Sequence, residues 1–96
     1  MEWEYMKINI SENAKEKMKE YFKNEVPLKL VIQGVSWCGP TFAVVSEKHL
    51  VKDEIYKEEG LEIAISENVS NMLSEVRIDY SNKFFRKGFI VMPVPK

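Results

Sequence analysis

This sequence predicts one α+β domain, mainly β, and two patterns carry that expectation. Short stretches of β-branched and aliphatic residues recur along the chain, several in the strict alternation of a half-buried strand: Met6–Ile10, Leu28–Ile32, Thr41–Val45, Leu61–Ile65, Val76–Tyr80 and Gly88–Met92. Only two segments have helical spacing, and a serine suited to capping precedes each. The expected core is therefore an antiparallel or mixed β structure with two small helices and Ile8, Ile10, Leu30, Ile32, Val44, Ile63, Ile65, Ile78 and Phe89 inside. Residues 1–96 form a single domain in this reading, because a chain of 96 residues has no room for a second core.

Taken in order, Met6, Ile8 and Ile10 alternate with Lys7 and Asn9, and Ser11 then supplies a helix N-cap. From Glu12 to about Asn24 the apolar residues Ala14, Met18, Tyr21 and Phe22 fall at i, i+4, i+7 and i+8, one face of an amphipathic helix, with Pro27 just beyond its end. Leu28–Ile32 resumes as strand, Gly34–Pro40 reads as an interrupting loop, and Thr41–Val45 is strand again. A polar connection, Ser46–Asp53, leads to Glu54–Lys57, a Glu59-Gly60 turn and the strand Leu61–Ile65. Ser66 caps a short helix with Val69, Met72 and Leu73 on its face; Val76–Tyr80 alternates; and a polar loop, Ser81–Lys87, precedes Gly88–Met92. Pro93 and Pro95, which lack a backbone donor, are expected to end the ladder.

Charge and composition narrow the function classes. Fourteen basic and fifteen acidic side chains leave a net charge of −1, with lysines interleaved among glutamates, so there is no basic stripe for a phosphate backbone and no nucleic acid is expected. The acidic start, Met1-Glu2-Trp3-Glu4-Tyr5, does not read as a secretory signal, no stretch is long and apolar enough for a membrane, and a lone thiol suits a reducing compartment. A cytoplasmic protein is expected. No nucleophile stands at motif spacing from a histidine, no glycine loop cradles phosphate, and the adjacent carboxylates Asp53-Glu54 and Glu58-Glu59 splay apart, so the chain is not expected to be an enzyme.

Cys38 is the sole cysteine, and it lies in Gly34-Val35-Ser36-Trp37-Cys38-Gly39-Pro40-Thr41-Phe42, between two predicted strands. Gly34 and Gly39 permit positive φ and close approach of the backbone to a ligand, and Pro40 stiffens the exit. Such a loop suits a presented thiol; the competing reading is a small buried hydrophobe packed beside Trp37, which itself could cover the site or pack in the core or a dimer contact. Trp37-Cys38-Gly39-Pro40 also matches most of a thioredoxin turn. Against that, Thr41 stands where a resolving cysteine belongs, Phe42–Val45 is β-branched where a helix should begin, and no proline falls between Pro40 and Pro93 to face the thiol.

A longer pattern extends over nearly the whole chain. Met6 to Ala14 with its lysine-rich helix, the cysteine loop Gly34–Phe42, Asp53-Glu54-Ile55-Tyr56 before Gly60–Ser66, Ile78-Asp79-Tyr80 and Gly88-Phe89 resemble, in order and spacing, the HesB/IscA-like family. The resemblance implies a sandwich or pseudobarrel of mixed sheets with two short helices, and a role in iron–sulfur cluster assembly or delivery. It implies Cys38 as metal ligand, with Gly39 beside it at the cofactor, and iron–sulfur assembly or client proteins as partners. A-type carriers of that family end in a Cys-x-Cys segment, whereas this chain closes on Met92-Pro93-Val94-Pro95-Lys96. One thiolate per chain then implies a homodimer or tetramer for an iron or iron–sulfur cluster, with further ligands from His49, carboxylates, a small thiol or a partner. His49 is otherwise a surface residue, and Asp79 and Tyr80 are accounted for by an alternating strand. The alternative functions are a metal-free interaction or structural module on the same fold and a monothiol thioredoxin-like redox protein.

Overall fold

The computed structural model describes residues 6–83 and 86–96. The order is β1 (Lys7–Ile10), α1 (Glu12–Lys23), β2 (Leu28–Ser36), β3 (Gly39–Ser46), β4 (Glu54–Glu58), β5 (Leu61–Ile65), α2 (Glu67–Met72), β6 (Leu73–Lys83) and β7 (Arg86–Pro95). Among the described residues the strands form two mixed sheets, ordered β3-β2-β5-β4 and β1-β6-β7. β2–β5 and β1–β6 are parallel pairs; β2–β3, β4–β5 and β6–β7 are antiparallel.

Helix α1 is fixed at both ends by local chemistry. Ser11 Oγ accepts from the Ala14 amide at 3.1 Å and donates to Asp79 Oδ1 at 2.6 Å, so the cap also joins the helix to β6. At the other end Glu25 takes a left-handed conformation (φ 59°), and the Glu25 and Val26 amides donate to the carbonyls of Phe22 and Tyr21. This is a Schellman stop with glutamate in the seat that glycine usually fills. It ends the helix before Pro27 is reached. Ala14 and Met18 are buried and Tyr21 packs on the core, but Phe22, expected on the same face, is exposed.

Leu30, Ile63, Ile65 and Ile78 are buried as expected, joined by Met6, Leu28, Leu61, Val69, Leu73 and Val76. Ile8, Ile10, Ile32, Val44 and Phe89 pack at the margin of this cluster, half-buried. Phe89 meets Tyr80 edge-on at 5.1 Å and Tyr21 at 6.0 Å, closing the core where α1 crosses β6 and β7.

Three expectations about strand limits are corrected. Gly34–Pro40 is not an interrupting loop: β2 and β3 stay paired to the last register, Ser36 opposite Gly39, leaving only Trp37 and Cys38 unpaired. Ser81–Lys83 and Arg86–Lys87, expected in a polar loop, continue β6 and β7, and Phe84 and Phe85 lie outside the described residues. Pro93 and Pro95 do not end the ladder but sit opposite Val76 and Leu73; β7 is an edge strand, where a missing amide donor can face outward.

Candidate functional site

The β2–β3 hairpin places Cys38 at its tip. A β-bulge at Gln33 lets Ile32 face Phe42 while Gly34 faces Thr41, so one extra residue is taken up on β2. The turn Ser36-Trp37-Cys38-Gly39 needs no left-handed residue at its two central positions, and Gly39 (φ 112°) follows them, the arrangement of a type I turn with glycine at its fourth position. Gly39 is therefore required for its backbone. Gly34 is not: its φ is ordinary, and a Cβ there would meet Thr41 Oγ1 at an unstrained 3.8 Å.

Ser36 clamps this turn. Its hydroxyl accepts from the Cys38 amide at 3.3 Å and donates to the Gly39 carbonyl at 3.2 Å, while Thr41 Oγ1 donates to the Gly34 carbonyl at 3.2 Å. These bonds use the backbone groups of the tip and leave the thiol to project. Cys38 is exposed, and Trp37 is 101% exposed. The reading of Cys38 as a buried hydrophobe, and of Trp37 as core, is corrected: the paired strands carry both residues beyond the body of the protein. The thioredoxin-like reading falls with them, because Gly39–Ser46 is strand and no helix dipole meets the thiol.

His49 belongs elsewhere. Its Nε2 lies 2.9 Å from the Leu28 carbonyl, at the opposite end of β2 from Ser36. Eight strand steps at about 3.3 Å each put roughly 26 Å between the two ends. Within one chain His49 cannot share an ion with Cys38. It is part of a strap in which Asp53 Oδ2 accepts from the Leu50 amide at 2.7 Å and pairs with Lys29 Nζ at 3.0 Å, both side chains buried. Burial pushes the Asp53 carboxyl up, but the Leu50 amide and Lys29 outweigh it and hold the group below the ordinary carboxylate range. Nothing in the sequence marks Lys29 and Asp53 as partners.

Ile78-Asp79-Tyr80 has structural work in this chain. The Ser11 hydroxyl and the Tyr80 amide hold the Asp79 carboxyl below its usual range, and Lys17 Nζ lies 5.3 Å from the centre of the Tyr80 ring. Among the described residues no three of the His, Cys, Asp and Glu side chains are grouped to hold a metal ion. Among the described residues a single chain thus presents one exposed thiol and no ready-made group of three such side chains. Among the described residues no helix is long and apolar enough to cross a membrane.

Comparison with known proteins agrees with the arrangement of elements. Escherichia coli SufA, described as involved in biosynthesis of iron–sulfur clusters, superposes with a TM-score of 0.74 at 12% identity, covering 96% of this chain and 84% of SufA. IscA with a [2Fe-2S] cluster gives 0.64 at 14% identity, covering 90% and 84%. A solution structure of an Aquifex aeolicus protein gives 0.65 at 15% identity, covering 96% of both chains. At such identities these likenesses establish the fold. No curated protein sequence gives a significant match. The family described as iron-sulphur cluster biosynthesis matches residues 6–90, a span that runs from β1 into the first half of β7 and contains both helices and the Cys38 hairpin. By that match, which takes in most of the chain, this protein belongs to the iron-sulphur cluster biosynthesis family.

Proposed function

We propose that this protein is an accessory in iron–sulfur cluster assembly that handles iron or a cluster as cargo through a single thiolate, Cys38, at a junction between chains. The observation that carries this reading is the position of the only thiol: exposed at the tip of a hairpin, inside the span that matches the family. Gly39 lies beside the cargo position and keeps the exit of the turn free of side chain. A cluster is usually held by four thiolates, and one chain does not fit that need. Two tips facing each other supply two thiolates and four supply four; a dimer takes its remaining ligands from a small thiol or a protein partner. Cargo held this way exchanges readily, as a carrier requires. In this proposal the protein performs no catalysis and works in a reducing compartment, the cytoplasm, where an exposed lone thiol persists.

A second reading is supported by the absence of any three-donor group among the described residues: a metal-free interaction module that keeps the family's fold. Anaerobic reconstitution with ferrous iron and sulfide separates the two. The carrier reading predicts sulfur-to-iron charge-transfer absorbance in the wild type that is lost in Cys38→Ser. A wild type that stays colourless and binds no iron supports the metal-free module.

A further inference from the structure

The hairpin tip carries more than a thiol. On β3, Phe42 faces the core beside its partner Ile32, and Pro40, two residues away, shares that face. The bulge at Gln33 brings Val35 opposite Pro40, so Val35 is turned to the same side. No part of the described body covers it there: Val35 is 82% exposed and Trp37 fully so. The apolar face of the hairpin thus continues past the core as an arm of half-buried Pro40 and exposed Val35 and Trp37 ending at Cys38. Between Lys29 and Glu47 the sequence has no charged residue, although 30% of the chain is charged. Any surface complementary to this arm is itself apolar and uncharged.

Two magnitudes decide what covers the arm. A buried tryptophan hides about 150–250 Å², so three side chains offer a few hundred Å², well short of the roughly 800 Å² per partner that a stable interface buries. A second copy seated on the arm alone would not stay. The thiolate count points the same way, since a partner bringing its own cysteines completes a donor set that two identical tips leave half filled. We infer that Val35, Trp37 and Pro40 form a transient docking surface for a cysteine-bearing polypeptide of another protein, with apolar side chains beside its cysteines.

This inference rests on the carrier reading, but its test needs no metal. In a Trp3→Phe background Trp37 is the only indole. The metal-free protein is titrated anaerobically with a reduced apo-ferredoxin carrying four cysteines, and Trp37 emission is followed. A saturable blue shift is expected, with the dissociation constant raised at least about tenfold by Val35→Ser, a change that removes little buried surface. Lys48→Ala, in the loop at the other end of β2, should leave it unchanged. No shift, or equal affinity of Val35→Ser and the wild type, overturns the docking surface. A blue shift that grows with protein concentration alone also overturns it, because a second copy then covers the arm. Docking without any uptake of iron and sulfide would leave this inference standing and reject the carrier reading.

Discussion

Cys38 is presented by its neighbours: Ser36 holds the turn closed, Gly39 supplies a left-handed backbone, and the residue stands exposed at the tip. Replacing Gly39 by alanine should test the second of these. An added Cβ meets nothing within 4 Å, so the penalty is backbone strain alone, about 1–2 kcal/mol. In a domain of this size that lowers the melting temperature by several degrees, measurable by circular dichroism, and the tip should become more mobile without loss of the core. The Lys29–Asp53 pair is the other residue-scale determinant. Removing one member of a buried pair strands the other, so Asp53→Ala should cost about 3 kcal/mol in urea unfolding. The thiol was legible as soon as the sequence showed one cysteine in a glycine-flanked loop. Its exposure was not, because exposure depends on how far two strands stay paired beyond the core. The partnership of Lys29 with Asp53 was invisible, since it depends on a loop folding back over β2.

At the scale of elements, the stop of α1 gives a separate prediction. Glu25 is the only non-glycine residue with positive φ among those described, so Glu25→Gly should relieve its strain and stabilise the protein by about 0.5–1 kcal/mol, read as a higher denaturation midpoint. Sequence reading placed the end of the helix by Pro27, because a glutamate in a glycine position carries no local signal. Strand interiors were read well wherever alternation was strict, as in β1 and β6. Strand ends were misread at Ser36, Lys83 and Pro95, where pairing with a neighbour overrode turn-forming composition. Acid should act through the contacts that join elements. Asp53 ties the β3–β4 loop to β2, Asp79 ties β6 to the cap of α1, and both carboxyls are held below their ordinary value. Their contribution is complete above the unfolded-state pKa, near 4, and is lost as pH falls through the lower folded-state values. Stability should therefore decline below about pH 4, and Asp53→Asn should flatten part of that slope.

The whole molecule leaves one end of a hairpin outside its core, and the functional proposal depends on what meets that end. The order of motifs along the chain was enough to anticipate the fold, because each motif fills a fixed seat: Ser11 and Asp79 meet across α1 and β6, and Gly60 makes the turn from β4 to β5. The ligand set was not legible, because the sequence supplies one thiol per chain and does not say what meets it. Sedimentation velocity under anaerobic conditions, on the wild type and Cys38→Ser with and without iron and sulfide, tests the central claim most directly. The account predicts that iron and sulfide shift the wild type to a dimer or tetramer with coloured species in the heavier boundary, and leave Cys38→Ser unshifted. Wild type and variant sedimenting alike under every condition would contradict it.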